Sequence, residues 1–173
     1  MATTAEVLID GFERIAESVT EVLDGLSAEQ LVYQVDAAAN PISWLVWHLA
    51  RVQDDHVADA FGATQVWTSG GWAARFGLPA DTVEHGYGHG AEQVAYYAAA
   101  TASAALLAEY HSLVHAQTVE LVSKVSDADL DRVVDTRWTP HVTLGVRLVS
   151  VIDDDAKHVG QADFVRGVVL RRE

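Results

Sequence analysis

Asp154 and His158 stand four residues apart, and on a helix their side chains would converge on one point. Carboxylate oxygen and imidazole nitrogen are both ligands for first-row divalent metals. Two ligands on one helix need a third from a neighbour, and His48 is the obvious supplier. It sits in Trp44-Leu45-Val46-Trp47-His48-Leu49, a run otherwise made of large apolar residues. Three protein ligands would leave an open coordination position, the arrangement that catalytic metal sites use. The same residues also have a plainer reading: a core histidine bonded to a carbonyl, and a simple Asp–His ion pair. Asp155, three before His158, is an alternative carboxylate, because helical phase alone does not exclude it.

The stripe that carries the pair adds to the case. Arg147, Val151, Asp154, His158, Gln161 and Val165 are spaced by fours and threes, so one helix face would hold all six. Most of them are polar, and burying such groups unpaired costs on the order of 1–3 kcal/mol each. A bound cation would satisfy two of them. Arg147 and Gln161 are then candidates for substrate binding, with His89 and Trp67 from elsewhere in the chain. Structural salt bridges compete for Arg147, and plain loop surface competes for His89. His111 and His115 form a rival His-x-x-x-His pair, but it lies beside the apolar stripe through Tyr110 and Val114. His85 and His89 share the same spacing, with glycines between them that argue against a helix.

The elements that must position these residues read as helices. Thr3 with Glu6 is a capping box, after which Leu8, Phe12, Ile15, Val19 and Val22 recur at helical spacing up to Gly25. Ser27 to Gln30 can start a short turn. Asn40-Pro41, an N-cap followed by proline at the first helical position, opens a helix to about Phe61, with Gly62 as its stop. Residues 62–90 are rich in glycine and hold Trp67 and Trp72; they predict a long ordered connection with a turn or two of helix. A long helix is expected over 91–124, with Leu106, Tyr110, Leu113, Val114, Gln117 and Leu121 inside. A short capped helix over 126–131 and a last helix from Thr143 to about Arg166 follow. Residues 133–142 admit an extended stretch. The expectation is one all-α domain over 1–173, a four-helix bundle with a long connection between its second and third helices.

Composition narrows the function. The 173 residues include no cysteine, which removes disulfides, sulfur-ligated metal and any protein thiol nucleophile. Twenty-five acidic residues against 11 basic ones give a charge of −14. Such a surface repels phosphate backbones and anionic lipid heads, so neither nucleic acid nor membrane is an expected partner. No stretch approaches the ~18 apolar residues of a membrane span, and nothing at the start reads as a secretory signal, so the cytoplasm is the expected compartment.

The run Asn40-Pro41-Ile42-Ser43-Trp44-Leu45-Val46-Trp47-His48-Leu49-Ala50-Arg51 resembles the second-helix signature of the DinB-like superfamily. So does the stretch from Leu144-Gly145-Val146-Arg147 through Asp154, His158 and Gln161 to Arg166-Gly167. Gly86-Tyr87-Gly88-His89 and Arg132-Val133-Val134-Asp135 with Arg137-Trp138 resemble its actinobacterial branch, which includes mycothiol-dependent S-transferases and the maleylpyruvate isomerase N-terminal domain. The resemblance implies a DinB-like four-helix bundle with a metal triad on His48, Asp154 and His158. Asp154 departs from the longer Glu or His usual there. It also implies a divalent metal, Zn²⁺ or alternatively Ni²⁺ or Fe²⁺, and a small-molecule thiol, mycothiol, as co-substrate for an electrophile. The expected activity is thiol S-transfer, since a metal stabilises thiolate and the chain has no thiol of its own. A metal-dependent hydrolase and a non-catalytic binding bundle are the alternatives, and a homodimer is compatible with the sequence.

Overall fold

All but one of the long helices begin where side chains can satisfy free backbone amides. In the computed structural model, which describes residues 2–172, the Glu6 amide donates to Thr3 Oγ1 at 3.2 Å and the Thr3 amide donates to Glu6 Oε2 at 2.7 Å. That box opens α1 (Thr4–Leu23), whose buried side is the expected stripe of Leu8, Phe12, Ile15, Val19 and Val22. Ser27 and Gln30 form a second box at the single-turn α2 (Ala28–Leu31). Next, α3 (Ile42–Phe61) is buried at every position from Ile42 to Asp54. Pro41, not Asn40, precedes its first turn, and no side chain caps it. Gly62 ends it in the left-handed region, as a glycine C-cap should.

The connection that follows holds α4 (Val66–Ser69) and α5 (Trp72–Arg75). Trp67, Trp72 and Phe76 from this segment all pack their rings against Tyr110. The expected long third helix is two helices, α6 (Ala91–Ala100) and α7 (Ala104–Val122). Thr101 is the reason. Its hydroxyl lies 2.8 Å from the Tyr97 carbonyl and 3.3 Å from the Ser43 carbonyl, and Ser103 Oγ then caps a new helix by accepting from the Leu106 amide. The expected short capped helix is a 3₁₀ helix (Asp127–Asp131) with Ser126 and Asp129 as its capping box. A two-strand antiparallel hairpin, β1 (Val133–Asp135) and β2 (Val142–Thr143), leads into α8 (Leu144–Val169).

The bundle is made of α1, α3, α7 and α8. Both α1 and α3 pack against α7 and α8, so α7 and α8 face each other diagonally across the core. This is a DinB-like helical bundle, with almost no sheet. Two stripes are turned from their expected positions. The buried side of α7 is Leu107, Tyr110, His111, Val114, Thr118 and Val122, while Leu113 is 46% exposed. Thr118 faces inward because its hydroxyl accepts from Gln53 Nε2 at 2.8 Å. On α8 the buried line runs through Leu144, Leu148, Val151, Asp155, Val159, Ala162, Val165 and Val169. Asp154, His158 and Gln161 flank that line instead of lying on it. Among the described residues no helix is long and apolar enough to cross a membrane.

Candidate metal centre

The flank of α8 that carries Asp154 and His158 runs beside His48 of α3, the helix with which α8 makes its most extensive contact. His48 Nε2 lies 4.0 Å from Asp154 Oδ2, and His158 Nε2 lies 3.7 Å from Asp154 Oδ1. One ligand atom from each residue falls within 4.8 Å of the others, the one such group among the described residues. Zinc held by nitrogen and oxygen at ~2.1 Å in a tetrahedron would set ligand atoms ~3.4 Å apart, so modest side-chain closure fits an ion between them. Asp154 Oδ2 is buried and has no hydrogen-bond partner among the described residues. An acceptor left so needs a cation or a donor.

The two imidazoles are oriented from behind. His48 Nδ1 bonds to the backbone carbonyl of His85, and His158 Nδ1 bonds to Gln161 Oε1 at 2.9 Å. A carbonyl and an amide oxygen only accept, so each Nδ1 carries the proton and each Nε2 offers its lone pair to the centre. Burial pushes the His48 pKa down to about 4, with the neighbouring His158 adding to the shift and the His85 carbonyl opposing it. His48 is therefore neutral at neutral pH, the form that binds metal. Trp44 stacks on the His48 ring at 4.6 Å and 14° and meets His158 edge-on.

A larger buried network holds the loop that supplies the His85 carbonyl. Arg51, fully buried on α3, donates to Asp54, Tyr110 and Gln65 and to the backbone carbonyls of Val83 and Glu84. Asp54 in turn accepts from the Val66 and Trp67 amides and the Tyr110 hydroxyl. Arg51 thus ties the chain just before His85 to the helix that bears His48. The signal for it in the sequence is a single arginine after the apolar run Leu45–Ala50, which burial would leave unpaired unless a loop came to meet it.

The sequence-derived candidates end in different places. His48, Asp154 and His158 come together. Gln161 touches the centre only through His158. Asp155 points into the core, where neither carboxylate oxygen has a hydrogen-bond partner and burial raises its pKa well above the usual carboxylate value. His89 lies behind the centre: Trp44 Nε1 donates to its Nδ1 at 3.3 Å, and its Nε2 meets Glu84 at 3.0 Å. Tyr97 and His89 together hold Glu84 below the ordinary carboxylate range. Trp67 is 2% exposed and spends its indole N–H on the Thr82 carbonyl. Arg147 pairs with Asp135 at 2.8 Å. The rival pair, His111 and His115, stacks at 6.4 Å with no third ligand among the described residues.

Gly86 is needed at the centre for two reasons. Its φ is +95°, and a Cβ there would lie 2.8 Å from His48 Nδ1 and 3.1 Å from both Trp44 and Trp47 ring carbons. Gly86→Ala is expected to cost about 1–3 kcal/mol of stability and at least ~10-fold in metal affinity, because it pushes on the bond that orients His48. Gly88→Ala, with positive φ but open space around it, should cost stability alone. Denaturant melts and metal titration separate the two effects, and wild-type metal affinity in Gly86→Ala would contradict the assignment.

A family model described as mycothiol-S-transferase matches residues 7–169. A solved structure described as a conserved protein of a locus from Enterococcus faecalis is similar at 28% identity and a TM-score of 0.84, covering 98% of this chain and 99% of that one. No curated protein matches the chain.

Proposed function

The chain belongs to the mycothiol-S-transferase family, and on that premise we propose that it is a divalent-metal-dependent thiol S-transferase. It activates mycothiol for attack on an electrophile. The observation that carries the metal dependence is the convergence of His48, Asp154 and His158 with both Nε2 lone pairs turned inward and a buried, unpartnered Asp154 Oδ2. The donor set of two nitrogens and one oxygen suits Zn²⁺, and Ni²⁺ or Fe²⁺ accept the same ligands. A divalent ion held there supplies Lewis acidity that keeps a nearby sulfur as thiolate at neutral pH.

The chain's own residues do the positioning. Gln161 and the His85 carbonyl fix the two rings, and Trp44 covers one face of His48. With no cysteine in the sequence, the nucleophilic sulfur must arrive as a co-substrate. The reading includes action in the cytoplasm on small molecules, without nucleic acid, in keeping with the −14 charge.

The test is conjugation of mycothiol to a bimane electrophile at pH 7 with metal-replete and metal-stripped protein. A free thiol with pKa ~8.5 is only a few per cent thiolate at that pH, so lowering its pKa by two units raises the reactive fraction by ~10–30-fold. Metal-replete protein should be faster by at least that factor and should prefer mycothiol over glutathione. Equal rates with and without metal overturn the transferase reading. Ester or amide hydrolysis without thiol would replace it with a hydrolase.

A further inference from the structure

Seven residues before Asp154 on the same helix, or ~10 Å along its axis, Arg147 lines a pocket of about 400 Å³. His85 belongs to both places. Its carbonyl orients His48, and its ring lines the pocket, with a buried Nδ1 that has no partner. The pocket therefore opens beside the metal centre without sharing a ligand with it.

Its chemistry is specific. Two large rings stand in solvent at its rim, Trp138 at 64% and Tyr87 at 86% exposure. Asp135 is saturated: it accepts from the Arg137 amide, Nε and Nη2 at 2.9, 3.0 and 2.9 Å, and from Arg147 Nη2 at 2.8 Å. Those bonds hold both guanidinium groups in place. Arg147, itself 9% exposed, has no further hydrogen bond on Nε or Nη1 among the described residues. The groups left free are thus fixed donors. The lining holds two arginines against one carboxylate, Asp135, which pairs with both, and just outside the lining Asp55 stands 3.3 Å from His56. Asp135 already engages both guanidinium groups, so little positive charge is left over for an anion. Exposed rings with fixed donors and little charge left over suit a neutral polyhydroxylated group, whose apolar C–H face lies on an aromatic ring while its hydroxyls take the donors.

On the other side of the centre the surface is different. Beyond Gln161 lies a groove lined by Val35, Ala39, Leu45, Phe164 and Val165. A two-substrate reaction needs two such places; Asn40 and Lys157 also line the second, but the first is where guanidinium donors fixed by Asp135 stand beside two exposed rings. We propose that the pocket of Trp138, Tyr87 and Arg147 holds the sugar body of the thiol co-substrate while its sulfur reaches His48, Asp154 and His158. This rests on the thiol-transferase reading, and it leaves the apolar groove to the electrophile.

The probe is S-methyl mycothiol, whose blocked sulfur removes any need for the metal, titrated by calorimetry into metal-free protein. Wild type should bind it, Trp138→Ala should weaken binding at least ~10-fold, Tyr87→Ala should weaken it less, and Val149→Ala on an exposed part of α8 should leave it unchanged. In turnover, the preference for mycothiol over N-acetylcysteine should fall ~10-fold in Trp138→Ala. No binding at millimolar probe, or a loss in Phe164→Ala with none in Trp138→Ala, overturns the assignment. Displacement of the probe by cinnamate but not by its neutral amide would overturn it in favour of an anion site. Trp138-dependent binding without any conjugation would leave the pocket standing and sink the transferase. Metal-dependent conjugation indifferent to Trp138 would do the reverse.

Discussion

His48→Ala and His158→Ala should each abolish metal retention, from about one divalent ion per chain to a trace after dialysis against a weak chelator. Each substitution leaves two ligands, and a single N/O pair competes poorly with water and buffer for a divalent ion. Conjugation of mycothiol should fall with it to the rate of metal-stripped wild type, by at least the ~10–30-fold that a thiol pKa lowered by two units supplies. Circular dichroism should show the bundle intact in His158→Ala, since His158 lies at the helix flank and is partly exposed. Asp154→Glu is expected to keep the ion, because the longer carboxylate still reaches the centre. His111→Ala should also keep it, and loss of the ion there would move the site to the wrong pair. Elemental analysis after dialysis reads all four variants.

The second large effect concerns stability and pH. His111 is 3% exposed in the core, its Nε2 has no partner, and burial pushes its pKa down to about 3, with nearby His115 adding to the shift. In the unfolded chain it titrates near pH 6.5. Above that pH both states hold a neutral ring and nothing is lost. As pH falls below it, the unfolded state takes up a proton that the folded state refuses, so stability drops by ~1.4 kcal/mol per pH unit until about pH 3. From pH 7 to pH 5 the expected loss is about 2 kcal/mol. His111→Leu removes that loss and the unpartnered nitrogen together. The variant should therefore gain on wild type by about 2 kcal/mol between pH 7 and pH 5 in urea melts, other groups cancelling. An unchanged difference would mean that the imidazole protonates freely in the fold. Asp155 acts in the opposite sense. Its raised pKa means the folded state keeps a proton that the unfolded state loses as pH rises above 3.8, so Asp155→Asn should help most at neutral pH and above.

Much of this was legible in local patterns, because local physics decides them. Thr3 with Glu6, Ser27 with Gln30, Thr143 and Gly62 mark helix ends through bonds that span only a few residues. The Asp154–His158 pair is a consequence of helical spacing, and the apolar run around His48 announced a buried histidine. The buried stripes of α7 and α8 are turned by about one residue from the expected ones, because apolar spacing alone leaves the phase of a helix open by about that much. Thr118 faces in only because Gln53 on another helix bonds to it, and Asp154 flanks the core because His48 and His158 lie at that flank. The break at Thr101 depends on Ser43, 58 residues away.

Local sequence accounts for the caps at Thr3, Ser27 and Thr143 and the stop at Gly62, for the absence of a protein thiol, for the acidic surface and for three residues of types that can hold a metal. Only the tertiary structure decided that Asp154 and not Asp155 joins His48, that the His85 carbonyl and Gln161 choose the tautomers, and that Arg51 pins the intervening loop. The division follows range: capping bonds span about four residues, whereas the phase of the buried stripes and the choice of ligand depend on which helix faces meet, for α8 and α3 a contact between residues about a hundred positions apart.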